Sequence, residues 1–85
     1  MNKEEIIRSI NNRIQNTMTS TIGIEVIDYG DDFICGKMPV DERTIQPWGL
    51  LHGGASVALA ETLGSIGGGI KAKQNNEKVV GIEIN

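Results

Sequence analysis

The stretch Gly53-Gly54-Ala55-Ser56-Val57-Ala58-Leu59-Ala60-Glu61-Thr62-Leu63-Gly64-Ser65-Ile66-Gly67-Gly68-Gly69-Ile70 decides how the fold is read. It predicts one helix over 53–70 whose apolar members spread around most of the circumference, the pattern of a buried helix. A helix interior disfavours glycine by up to roughly 1 kcal/mol per residue relative to alanine. This one nevertheless holds Gly64, Gly67, Gly68 and Gly69. Close packing explains them, because small residues let a helix lie tight against a sheet or another helix. Gly53 and Gly54 stand apart. At a helix start free N–H groups point outward and the helix dipole favours negative charge, so such a terminus can hold an oxyanion. Glu61 is the second anomaly, a lone carboxylate among Leu59, Ala60 and Leu63, with Thr62 beside it and Ser65 one turn on. A carboxylate there lies either on a narrow solvent face or in a site, and spacing alone leaves both open.

On the N-terminal side, Ile6, Ile7, Ile10 and Ile14 recur at helical spacing among Arg8, Asn11, Asn12 and Arg13, predicting an amphipathic helix over 3–16. Thr17, Thr19, Ser20 and Thr21 end that pattern. From Ile22 the period changes to two, and Gly30-Asp31-Asp32 is turn chemistry, so 22–29 and 33–40 read as a hairpin with Pro39 at an edge or strand end. Residues 41–52 form a connection made irregular by Pro47 and Gly49, with Trp48, Leu50 and Leu51 expected to pack down. Beyond the helix, 71–77 reads as a polar loop whose Lys71 and Lys73 join Lys78 on a solvated face. Residues 78–85 return to strand, with Val80, Ile82 and Ile84 on one face. The class is α+β, and three strands leave a sheet with two open edges, a liability. Either another chain pairs with it, or these residues form the front part of a larger domain.

Eighty-five residues and 9.2 kDa make a single domain, 1–85, with a marginal core. One cysteine rules out an intrachain disulfide, and one histidine rules out the common Cys/His zinc sites within one chain. Cys35 lies in the strand pattern and is expected to be a small core residue. The net charge of −3 and the scarcity of aromatics argue against nucleic-acid binding. Acids stand at the N-terminus where a signal peptide carries bases, and no run is long enough to span a bilayer, so a cytoplasmic location is expected. Gly53-Gly54 lacks the phosphate-loop pattern, and Asp31-Asp32 lacks calcium-loop spacing. A lone histidine is usually a surface or packing residue. The position of His52 beside Gly53, with Gln46 six residues upstream, makes both of them candidates.

Three ordered stretches carry a resemblance: Met38-Pro39-Val40-Asp41, then Gln46-Pro47-Trp48-Gly49-Leu50-Leu51-His52-Gly53-Gly54-Ala55-Ser56, then Ala60-Glu61-Thr62-Leu63-Gly64-Ser65. With the closing Val79-Val80-Gly81-Ile82-Glu83-Ile84-Asn85, they resemble the hotdog-fold acyl-CoA thioesterases. Within them they look like the branch of the phenylacetate-pathway and 1,4-dihydroxy-2-naphthoyl-CoA thioesterases. The match is nearly gap-free from Ile22 to the last residue and looser over the N-terminal helix. It implies an antiparallel sheet wrapped around the 53–70 helix, cut short after the third strand because such relatives continue past Asn85. It implies hydrolysis of an acyl-CoA, with an aromatic or medium-sized acyl group, to free acid and CoA. No cofactor is implied, CoA being part of the substrate. By position, Glu61 would be the catalytic carboxylate, as nucleophile or as general base. The Gly53 amide would polarise the thioester carbonyl, Gln46 and His52 would orient the thioester or the water, and Ser65 and Thr62 would contact the acyl side. In the family the site lies between subunits of a homodimer or tetramer, Glu61 of one facing Gly53 and Gln46 of the other. Two other readings stand beside it. One is a hotdog unit that binds a partner or acyl group without turnover. The other, ranked lower, is hydration or dehydration of an acyl thioester, which wants a histidine inside the helix region, whereas His52 precedes it.

Overall fold

The computed structural model describes residues 1–74. Its first helix, α1 (Lys3–Arg13), starts where the Asn2 side chain accepts the Glu5 amide at 2.8 Å, an N-cap that satisfies a donor the helix leaves free. It ends sooner than the predicted 16, because Asn16 adopts a positive φ of 62° and breaks the helical path. The polar run after it forms a second, four-residue helix, α2 (Met18–Thr21), which the sequence pattern did not predict. The Ser20 and Thr21 hydroxyls bond back to the Thr17 carbonyl at 3.1 and 3.0 Å.

The hairpin forms as expected but is shorter than 22–29 and 33–40. Strand β1 (Glu25–Tyr29) pairs antiparallel with β2 (Ile34–Lys37), and the Gly30 amide closes the turn on the Phe33 carbonyl at 2.9 Å. Val26 faces Gly36 and Asp28 faces Cys35, so Ile27 is an extra residue in β1. This β-bulge breaks the strict alternation and leaves Ile27 exposed. Ile24, Val26 and Tyr29 are the buried apolar side chains of this layer.

The long helix α3 (Gly53–Gln74) begins at the predicted residue and runs four residues past 70. Residues 71–74 are therefore helix and not loop. Lys71, Ala72, Lys73 and Gln74 are good helix formers, and Lys71 Nζ donates to the Asp31 carbonyl at 2.8 Å, tying the helix to the hairpin turn. Close packing holds where α3 meets β2. A Cβ on Gly36 would lie 2.5 Å from Leu63 Cδ2, and one on Gly67 would lie 3.2 Å from Ile34 Cγ2. Gly69 has open space instead, so tight packing does not account for it.

Three expectations about burial are corrected. Helix α3 is not enclosed: Ala72 is its one buried residue among 53–73, and Val57 is 49% exposed, because the hairpin and α1 reach only part of its circumference. Trp48, Leu50 and Leu51 are not packed down but exposed, Trp48 at 82%. Cys35 is exposed and not in the core, since Ile34 packs on Gly67 and Gly36 on Leu63, and the pleat turns the residue between them away from α3. The strand expected at 78–85, and with it the third strand of the sheet, lies outside the described residues. No helix among the described residues is long and apolar enough to cross a membrane.

Candidate active site

The segment before α3 is a small hairpin. Ile45 bridges Leu51 in antiparallel fashion, the His52 amide donates to the Thr44 carbonyl at 2.8 Å, and the Gln46 amide donates to the Leu50 carbonyl at 2.7 Å. Gly49 supplies the left-handed residue of the turn, with φ at +84°, and its amide returns to the Gln46 carbonyl at 2.9 Å. The hairpin is anchored by Thr44, a polar side chain 1% exposed. Its hydroxyl donates to the Pro39 carbonyl at 2.6 Å and accepts the Asp41 amide at 3.1 Å. Asp41 in turn holds Arg43 through a 2.6 Å ion pair, and the Arg43 guanidinium and amide keep its carboxyl below the ordinary carboxylate range. Sequence reasoning missed Thr44. The available signal was its place three residues after Asp41, a spacing at which a hydroxyl bonds back to the turn backbone.

This scaffold decides which atoms of the candidate residues remain available. Gln46 Oε1 accepts the Trp48 amide at 2.5 Å and the Leu50 amide at 3.4 Å. Both partners are donors, so the oxygen is consumed and the side-chain NH2 is left over. His52 Nδ1 accepts the Gly54 amide at 2.8 Å, and the His52 carbonyl accepts the Ala55 and Ser56 amides at 3.0 and 3.2 Å. His52 is thus the N-cap of α3, and its neutral ring carries the proton on Nε2. Of the four amides at positions 53–56, three are bonded to His52 in this way. The Gly53 amide has no partner among the described residues, and a Cβ on Gly53 would meet nothing within 4 Å. Gln46, His52 and Gly53 therefore have only donors left to offer, set within eight residues on one ordered hairpin.

Glu61 is elsewhere. Eight residues of helix separate it from Gly53, a rise of roughly 12 Å, so one chain does not bring its carboxylate to the helix start. It is half-buried and makes no hydrogen bond or ion pair among the described residues. Thr62 and Ser65 are half-buried as well, and Ser65 shares the Glu61 face at i+4. A cleft of about 420 Å³ between the 30–33 turn and α3 is lined by Phe33, Ile34, Leu63, Gly64, Gly67 and Lys71 and includes none of the candidate residues.

No family model matches the chain. Individual relatives do. The proofreading thioesterase EntH of Cronobacter turicensis is 49% identical over 78 residues, which are 92% of this chain and 56% of that protein. The crystal structure of thioesterase HI1161 from Haemophilus influenzae superposes with a TM-score of 0.82 at 46% identity, over 93% of this chain and 55% of that one. In sequence and in fold the chain is similar to the front part of hotdog-fold thioesterases. A mutant of thioesterase PA1618 from Pseudomonas aeruginosa gives a TM-score of 0.76 at 39% identity, over 81% of this chain and 50% of that structure. The chain spans about half the length of the thioesterases it matches and corresponds to the front part of their domain. The antiparallel β1–β2 hairpin and the long helix α3 are consistent with that fold.

Proposed function

We propose that this chain contributes both halves of a thioester hydrolase site that is completed between two copies, as a homodimer or within a tetramer. The donor half is the 44–54 segment of one copy, and the carboxylate half is Glu61 of the other. The observation that carries this reading is the unpartnered Gly53 amide in open space, next to two side chains whose acceptor atoms are already occupied. A group of donors with no competing acceptor suits a carbonyl oxygen that gains negative charge, and preorganised donors at that position are a large source of rate. The Gly53 amide polarises the thioester carbonyl, and the Gln46 NH2 and His52 Nε2–H orient the thioester or the attacking water.

In the reaction, oxygen adds to the carbonyl carbon and the C–S bond breaks. The sulfur leaves with its electron pair and is protonated to the free thiol. Glu61 acts in one of two ways. As general base it takes a proton from the water that attacks, and as nucleophile it forms an acyl anhydride that water then opens. A carboxylate freed from water by a second copy is the stronger base for either role. Thr62 and Ser65 face the acyl group, and the substrate class is an acyl-CoA with an aromatic or medium-sized acyl chain. The chain needs no cofactor for these steps.

The test is release of thiol from a panel of acyl-CoAs, benzoyl and phenylacetyl included, by the chain and by Glu61→Gln. Cys35 is exposed and consumes at most one equivalent of thiol reagent per chain, so sustained release is turnover. Turnover that falls about a thousandfold in Glu61→Gln supports the reading. Equal turnover in both chains, or none from the folded wild type, overturns it.

A further inference from the structure

Thr44 ties the donor segment to the sheet through its side chain and its backbone together. Its hydroxyl proton goes to the Pro39 carbonyl at 2.6 Å, and its oxygen accepts the Asp41 amide at 3.1 Å. Pro39 lies just past β2 and is seated against the chain just ahead of β1, where a Cβ on Gly23 would lie 2.7 Å from Pro39 Cδ. The Thr44 amide turns back to the Asp41 carbonyl at 2.9 Å, and the Thr44 carbonyl accepts the His52 amide at 2.8 Å. At 1% exposure, the Thr44 hydroxyl has no bulk water to replace these bonds if it is removed. All of these partners lie between Gly23 and His52, among the described residues.

The peptide between His52 and Gly53 carries the free donor. It is trans, and in a trans peptide the C=O and the N–H point in opposite directions. The His52 carbonyl points into α3, where the Ala55 and Ser56 amides bond it, so the Gly53 N–H points away from the helix. One side of this unit is fixed by α3, and the other, the His52 N–H, is fixed by Thr44. We infer that Thr44 is the positioning residue of the donor group: its buried hydroxyl sets the direction of the Gly53 N–H through the His52 backbone and touches no substrate itself. The effect on catalysis rests on the hydrolase reading proposed above, whereas the hold on His52 does not. A donor to a developing oxyanion acts through distance and angle, and about 1 Å of misplacement can cost about a hundredfold in rate.

The experiment measures thiol release at a temperature where every variant is folded by circular dichroism. Thr44→Val keeps the shape and removes the hydroxyl, and its kcat is expected to fall about thirtyfold with KM within about twofold of wild type. Thr44→Ser restores the hydroxyl and is expected to stay within about threefold of the wild-type kcat. Asn11→Ala is the control. The Asn11 side chain of α1 bonds the Val26 amide and carbonyl of β1, both at 2.9 Å, so its loss also strips part-buried backbone of side-chain partners, but outside the 39–54 segment. It is expected to lower the melting temperature and leave kcat unchanged. In a Gly53→Pro background, which lacks the donor N–H, Thr44→Val is expected to cost less than about threefold. Unchanged kcat in Thr44→Val, the same loss in both backgrounds, or an equal loss in Asn11→Ala overturns the inference and leaves the hydrolase reading standing. If the wild-type chain shows no turnover, that reading fails by itself and amide exchange at His52 and Gly54 decides. Exchange about tenfold faster in Thr44→Val, and not in Asn11→Ala, supports the inference, and wild-type rates overturn it. If Thr44→Val does not fold, Thr44→Ala, whose smaller side chain admits a water to the Pro39 carbonyl, replaces it with the same directions.

Discussion

The hairpin at 44–52 and the middle of α3 are neighbours in sequence and opposites in construction. In the hairpin, the Gln46 oxygen, the His52 Nδ1 and the Thr44 hydroxyl are each bonded to backbone of the same chain, and the groups left over are donors. In the middle of α3, Glu61 has no such partner among the described residues, and the flanking Leu59, Ala60 and Leu63 are half-buried or exposed. The difference teaches that the donor group is built by this chain alone, while the carboxylate is displayed on a surface that awaits a neighbour. A pocket assembled in one chain would show both halves tied down together.

Three variants test that contrast beyond Glu61→Gln. The largest effect is expected from Gly53→Pro. Proline is well tolerated at the first helical position, and the residue before it is an N-cap, outside the α region as a rule. The change deletes only the unpartnered amide, so the melting curve should stay close to wild type while kcat falls a few hundredfold. An unfolded protein would break the contrast, since the helix start would then depend on that N–H. Gln46→Glu is next. It keeps an oxygen for the Trp48 and Leu50 amides but has no NH2, so the hairpin should persist by circular dichroism and kcat/KM should drop about tenfold. Unchanged kcat/KM would remove Gln46 from the donor group. The smallest effect concerns the anchor. Asp41 titrates below its ordinary 3.8 because of its bonds to Arg43. Its folded value is depressed, so its contribution to stability is present above the ordinary carboxylate value and is lost as pH falls through the folded one. Following the Asp41 carboxyl by NMR should show its midpoint rising in Arg43→Ala. A midpoint that does not move would detach the ion pair from the hairpin.

Much of this was readable from the sequence, because its cues are local. The start of α3 at Gly53, the β1–β2 hairpin and the turn at Gly30 follow from glycine placement and periodicity. What periodicity reports is which faces are apolar, and it says nothing about what covers them. Trp48, Leu50 and Val57 are apolar and exposed, and Cys35 sits on the outward side of a strand whose inward residues occupy the helix contact. At 71–74 polarity alone suggests a loop, whereas helix propensity and the Lys71 bond to the turn extend α3. Asn11 and Thr44 carry no periodic signal at all. Their importance lies in pairing with backbone 15 residues and 5 residues away in sequence, which only the folded chain brings within reach. For the candidate site, residue types and order named Gln46, His52, Gly53 and Glu61. The fold adds which atoms of the first two are already spent, and that Glu61 stands a helix length apart from the rest.

The tip of the 44–52 hairpin also equips the molecule with its own optical probe. Trp48 is the only tryptophan, it is 82% exposed, and it sits between Gln46 and Gly49 on a backbone held by several hydrogen bonds. Its fluorescence therefore samples water at one rigid address and no other. Any molecule that settles over the tip, a second copy included, must shift that emission toward the blue, and a simple dilution series reads the event without a label.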